Sequence, residues 1–209
     1  MNLNLISDFN LDLLKRVIES KNVSEINSVN TSSYGQLYQD IFSFEEDFNA
    51  INFIWSLPES HIKTFQSALN FEDISKSQLK EEVEEYASLL INLSKKCKFL
   101  LIPFWQRLPY YKTHGLIDLK IECGIAKLIN EMNILLADRF KEVSNIFLID
   151  SSEWQLNNLA YMNPKIWYLA KTPFNNSIYK KVSETIISSI KTLSGNNKKL
   201  LVVDLDNIF

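Results

Sequence analysis

Glycine and proline are scarce in this sequence, 4 and 5 of 209 residues. Collagen-like and low-complexity disordered classes, which depend on those residues, are excluded. Cysteine is scarcer still, and Cys97 and Cys123 stand far apart with no CxxC spacing. Two buried free thiols in a reducing compartment are expected. No HExxH or HxxEH metal motif occurs, and no GxGxxG or GxxxxGK loop that would cradle a nucleotide. No apolar run approaches the ~18 residues of a membrane span. The opening "MNLNLISDFN" has no basic region ahead of an apolar one, so no signal peptide is expected. The net charge is −3, and no Lys/Arg cluster stands beside an aromatic platform, which argues against a nucleic-acid partner. The absences together describe a cytoplasmic protein with neither nucleic acid nor membrane as partner.

What is present is a core. Hydrophobic residues make up 46% and aromatics 12%, enough for one domain of α/β size. Apolar runs at 3–9, 23–29, 50–57, 98–105, 145–150 and 199–206 read as strands. Between them, helical periodicity predicts helices at 11–20, 34–42, 75–97, 118–143 and 177–193, the last ended by Gly195. Strands that alternate with helices predict a three-layer α/β/α, flavodoxin-like, doubly wound and mainly parallel sheet of about five strands. The run at 199–206 is an extra C-terminal strand beyond a polar "SGNNKK" linker. The expected division is therefore one α/β domain over 1–194, then a linker and strand over 195–209.

In such sheets the working residues gather where strands end at their C-terminal edge. Ser7 and Asp8 follow the first strand. A serine there is where the SGNH type of serine hydrolase places its nucleophile, activated by a histidine. The structural reading is a loop in which Asp8 or Asn10 caps the following helix. SGNH enzymes read Gly-Asp-Ser and a late Asp-x-x-His; this chain reads "ISDFN" and has Asp150 but no histidine after His114. His114, in "PYYKTHGL", lies on the same expected edge, as either a base for Ser7 or a stacked loop residue. His61, in "PESHIK", reads as a helix-start residue. Gly35 and Gln36, in "SYGQLYQD", offer a backbone N–H and an amide to an oxyanion, or simply start a helix capped by Ser33. Ser56, in "IWSLPES", stands where SGNH enzymes supply a second oxyanion donor, an Asn. The aromatic stretch "NPKIWYLAKTPFNN", with Trp167, Lys165 and Lys171, reads either as extra core over the sheet or as a docking surface for an anionic group.

The last motif is "LLVVDLDN". Asp204 and Asp206, two residues apart on a strand, share one side of it, the arrangement of a phosphoryl-transfer pair with magnesium. "WYLAKTPFN", a helix and then "KKLLVVDLDN" resemble the junction in FkbH-like proteins of the haloacid dehalogenase (HAD) superfamily, where an N-terminal SGNH-like domain precedes a phosphatase-type domain. "LISDF", "YGQLYQ", "IWSLPE" and "LINEMNILLADRFKEVSNIFLID" are similar to that N-terminal domain. The resemblance implies Asp204 as nucleophile, Asp206 as acid/base, and Mg2+ as the cofactor of the complete HAD domain. It also implies an acyl carrier protein or a phosphorylated small molecule as partner, in glyceryl transfer for polyketide or surface-glycan synthesis. Ile208 stands where the motif usually has Thr. The lysine and later acids of a HAD site do not follow within these residues, so neither cofactor nor phosphatase activity is expected of the 209-residue chain. A docking role leads; a Ser7 esterase or acyltransferase, and a pure interaction module that self-associates through 198–209, are the other readings.

Overall fold

Apolar runs buried on both faces are what a parallel sheet between two helix layers requires, and five of them form one. The computed structural model describes residues 1–154, 165, 167, 169 and 171–195. The strands are β1 (Asn2–Ser7), β2 (Ser28–Thr31), β3 (Asp47–Trp55), β4 (Cys97–Pro103) and β5 (Ile146–Ile149). All neighbours pair in parallel, in the order β2-β1-β3-β4-β5. This is the three-layer flavodoxin-like arrangement that the alternating pattern predicts.

The helices are α1 (Asp12–Glu19), α2 (Leu37–Ser43), α3 (Pro58–His61), α4 (Lys63–Leu69), α5 (Lys76–Ser94), α6 (Ile125–Phe140) and α7 (Asn176–Leu193). α1 packs on α7, and α5 on α6. α5 buries Leu79, Val83, Tyr86, Ala87, Leu90 and Leu93, the three-and-four spacing of one helix face. Ser75 caps it, its hydroxyl accepting from Gln78 N–H. In β3, Ile51, Phe53 and Ile54 are wholly buried, each stabilising the fold by about 1.5–3 kcal/mol through lost apolar surface.

One face of the sheet carries a polar ladder. Asn30 Nδ2 donates to Asn4 Oδ1 (3.0 Å), and Asn4 Nδ2 donates to Asn52 Oδ1 (2.8 Å). The register pairs Asn4 with both Asn30 and Asn52, so three amides line up across β2, β1 and β3.

Two local readings are corrected, and one stretch left unassigned proves helical. The second strand is Ser28–Thr31, not 23–29, because Ile26 N–H bonds Val23 O in a turn that delivers Ile26 to the core, and pairing begins only at Asn2 with Ser28. The long helix starts at Ile125, not 118. The Asp118 carboxylate reaches forward to accept the N–H groups of Ile125 (3.1 Å) and Ala126 (2.6 Å), so residue 118 caps the helix from outside it. Residues 58–69 form α3 and α4, with Pro58 at the first position of α3, where a missing N–H costs nothing. The run at 199–206 lies outside the described residues.

Candidate functional site

With strand order 2-1-3-4-5, the chain's winding reverses between β1 and β3, and the crevice outside their C-terminal ends is where ligands bind in such sheets. Three segments meet there: Asp8 to Asn10 after β1, Ser32 to Gln36 after β2, and Ser56 and Leu57 running into α3 after β3.

Asp8 organises the crevice. Its Oδ2 accepts the backbone N–H of Leu57 (2.7 Å), and its two oxygens lie 2.9 and 3.0 Å from His61 Nε2. The imidazole is 1% exposed. It stacks on Tyr86 (4.9 Å between ring centres) and meets the edge of Tyr38 (5.1 Å). A carboxylate facing Nε2 places a proton there. Nδ1 is buried and has no hydrogen-bond partner among the described residues. Enclosed in this way, the imidazole ties the loop after β1 to α3. Burial, and then the negative charges of Asp8 and Glu85, push the Tyr38 phenol up, which keeps it a proton donor beside this pair.

The Ser7 hydroxyl is committed elsewhere. It is buried, donates to Trp55 O (2.7 Å) and accepts from Phe9 N–H (3.2 Å). It ties β1 to β3 at their ends, and its proton goes to a backbone carbonyl rather than to a base. The N-cap position of α1 is Leu11, which makes no side-chain cap, so neither Asp8 nor Asn10 caps the helix; Asn10, one residue earlier, accepts Asp12 N–H through its Oδ1 (2.8 Å). Ser56 is also buried, and its Oγ accepts from Tyr86 Oη (2.7 Å) and Trp105 Nε1 (3.1 Å). That makes it a hub joining β3 to α5 and to the end of β4, with its oxygen already occupied.

Gly35 is exposed with φ +75°, a left-handed turn that admits glycine without strain. Gln36 N–H bonds Ser33 O (3.2 Å), so this amide closes the turn that starts α2. His114 stands apart from Ser7. It meets the edge of Phe71 (5.1 Å), and its Nδ1 lies 3.4 Å from Asp118 Oδ1, near enough for attraction but without hydrogen-bond alignment.

The described part of the aromatic stretch contributes to the core. Phe174 stacks on Trp55 (4.7 Å, 8° between planes), and Trp55 also meets Trp154 (5.2 Å) and Phe9 (5.1 Å). These are core contacts, and such aromatic pairs contribute about 0.5–1.5 kcal/mol each beyond burial. Lys171 faces the other way. Its Nζ lies 5.9 Å from the Tyr34 ring centre and 5.6 Å from that of Trp167. Its carbonyl accepts Asn10 N–H (2.9 Å), which seats this loop against the end of β1. Its φ of 52° is left-handed, which costs a non-glycine residue roughly 1–2 kcal/mol.

The structure thus brings Lys171 to Tyr34 and Trp167 and Asp8 to Leu57 and His61 at this edge, and places His114 against Phe71 and Asp118 instead. Asp204, Asp206 and the 198–209 segment lie outside the described residues. Among the described residues no group of three or more His, Cys, Asp or Glu is placed to hold a metal, and no helix is long and apolar enough to cross a membrane. His61 is the residue that sequence reasoning missed. The signal was topological: with β1 and β3 as neighbours, the loops after them must touch.

The fold has a solved counterpart. The chain is similar to the crystal structure of the N-terminal part of the protein BF1531 from Bacteroides fragilis, which contains a phosphatase domain and is complexed with Mg. The TM-score is 0.77 at 13% sequence identity, over 99% of this chain and 56% of that one. The chain therefore spans little more than half the length of this neighbour, and the likeness is one of fold. No protein-family model and no curated protein matches the sequence.

Proposed function

We propose that the chain is the N-terminal SGNH-like portion of a FkbH-like protein of the HAD superfamily, and that its crevice docks the reactant or its carrier beside a phosphatase-type domain. The observation that carries the reading is the fold match over nearly the whole chain to a longer fragment that contains a phosphatase domain and was crystallised with Mg. The "LLVVDLDN" sequence supports it, with Asp204 and Asp206 as nucleophile, acid/base and Mg2+ ligands. The ion would neutralise phosphoryl charge there.

Within the crevice, docking is favoured over nucleophilic catalysis because the Ser7 and Ser56 hydroxyl groups are held by neighbours. Lys171, set between Tyr34 and Trp167, supplies a cation and two aromatic faces. Those suit an anionic group on a flexible arm, such as the phosphopantetheine of an acyl carrier protein, or a phosphorylated small molecule. A cytoplasmic setting belongs to the same reading and fits the free thiols Cys97 and Cys123. Burial pushes the Cys97 thiol up to about 11, which makes it unreactive.

The test is titration of the isotope-labelled chain with phosphopantetheinylated acyl carrier protein, followed by NMR. Saturable shifts at Tyr34, the Trp167 indole and Lys171 are expected, with binding weakened about tenfold in Lys171→Ala, a loss of one charge-assisted contact. Absence of saturable shifts, or shifts that ignore Lys171→Ala, would overturn the docking role.

A further inference from the structure

A second cleft opens at the same sheet edge, where the ends of β4 and β5 meet α6, with a volume of about 390 Å³. Toward the end of β3, past Ser56 and Leu57, the space narrows to about 10 Å³ between Trp55, Trp105, Trp154 and Phe174. The second cleft is the wider of the two, and it shares Phe104, Trp105, Gln106 and Ser151 with the narrow void.

The walls of the second cleft are fixed. Asn133 Oδ1 accepts Trp105 N–H (2.9 Å) while its Nδ2 donates to Trp105 O (2.8 Å). The Trp105 indole is held by Ser56, and Ser151 Oγ donates to Phe104 O (2.7 Å). With residues 104 and 105 tied through both backbone and side chain, the course of the chain into Arg107 is set.

Against this frame stand polar groups that the protein does not use. Arg107 and Asn130 line the cleft, and the side chain of neither makes a hydrogen bond or ion pair with any described residue. Asp150 lines it as well. Its carboxyl is held below the usual range by the Ser152 hydroxyl and the Ser152 N–H (2.9 Å), so it is ionised and keeps further acceptor sites. It too has no ion-pair partner among the described residues. A cation and a carboxylate in one cleft, not joined to each other, match a ligand that carries an anion and a donor together. Ile129 and the Phe104-Trp105 segment offer apolar wall to a short carbon skeleton, and the volume lies within the ordinary range of small-molecule sites.

We infer that this cleft binds a small hydroxy- or amino-carboxylate, its anionic group taken by the Arg107 guanidinium and the Asn130 amide, and its hydroxyl or ammonium donor by Asp150. The planar fork of arginine matches a carboxylate through two parallel bonds, which gives the site its selectivity for that group. This site stands independently of the docking role proposed for the switch point.

NMR titration of the 209-residue chain with L-lactate and L-serine tests it, with acetate (no donor) and L-serine methyl ester (no anion) as controls. Lactate or serine should produce saturable shifts at Arg107, Asn130 and Ser152, with dissociation constants of about 1 mM or tighter, and the controls should bind at least about tenfold more weakly. The stronger of the two ligands identifies the donor as hydroxyl or ammonium. Arg107→Leu and Asp150→Asn, both exposed positions, should each weaken binding about tenfold with the melting temperature unchanged. Equal binding of acetate and lactate, no saturable shift with either acid, or affinity indifferent to Arg107→Leu would each overturn the assignment.

Discussion

His61 and Asp8, 53 residues apart in the chain, meet with Nε2 2.9 Å from Oδ2, and the imidazole is almost wholly enclosed. The same carboxylate holds the N–H of Leu57. Asp8 therefore fastens the loop after β1 to both ends of the segment after β3. Asp8→Ala strands two buried donors, at about 1–3 kcal/mol for each unsatisfied group. The expected result is a marked fall in denaturation midpoint, with a double-mutant cycle against His61→Ala giving a coupling of at least about 0.5 kcal/mol. Strict additivity of the two substitutions would show that the pair does not act as a unit.

The sheet was legible in the sequence because its strands are continuous apolar runs, and β3 (Asp47–Trp55) and β4 (Cys97–Pro103) declare themselves that way. The Asp8–His61 pair was not, because neither residue has a local signature. Only the adjacency of β1 and β3 brings them together, and periodicity along the chain does not encode adjacency. The start of α6 was misread for a related reason. Leu119 and Ile121 continue the apolar spacing of the helix, while Asp118, seven positions before Ile125, accepts its N–H across the intervening loop. Lys171 and Trp167 were legible as types suited to binding, but Tyr34, which follows β2 and meets Lys171, was not.

Ser7→Ala separates a tie between strands from a nucleophile. The hydroxyl links Trp55 O to Phe9 N–H in a buried setting, so its loss should lower stability by about 1–3 kcal/mol. Hydrolysis of a chromogenic short-chain ester should stay at background for the wild type and the variant alike. Ester turnover that disappears with Ser7→Ala would restore the serine to a catalytic role.

Two glycines should respond very differently to alanine. At Gly124 a Cβ would sit 1.6 Å from the Asp118 carbonyl oxygen, a clash with backbone that cannot yield without moving the cap of α6. At Gly35 there is open space, and only the left-handed φ of +75° resists. Gly124→Ala should therefore cost several times as much as Gly35→Ala, whose penalty is about 1–2 kcal/mol. Similar melting temperatures for the two variants would contradict the close approach at Gly124.

Magnesium-dependent chemistry offers a sharp test of the HAD reading. Under the proposed HAD assignment Asp204 and Asp206 would supply only part of the charge-neutralising set that such a reaction needs, so these 209 residues alone should release no phosphate from p-nitrophenyl phosphate with Mg2+. Release above background that is lost in Asp204→Asn would mean that these residues suffice by themselves.

The Asp118 carboxyl makes stability depend on acid. Burial raises its pKa, but the N–H groups of His114, Ala126 and Ile125 outweigh burial and hold it below 3.8. A carboxyl whose folded pKa is depressed contributes stability that is fully present above its unfolded value and is lost as pH falls through the folded one. Asp118→Asn keeps one acceptor oxygen and removes the charge, so it should be less stable than wild type at pH 7. The gap should hold down to the unfolded value near 3.8 and then narrow as acid protonates the wild-type residue. Urea midpoints of both proteins across the acid range measure this directly. A gap that widens with falling pH would reverse the sign and show that the three N–H groups do not stabilise the ionised form.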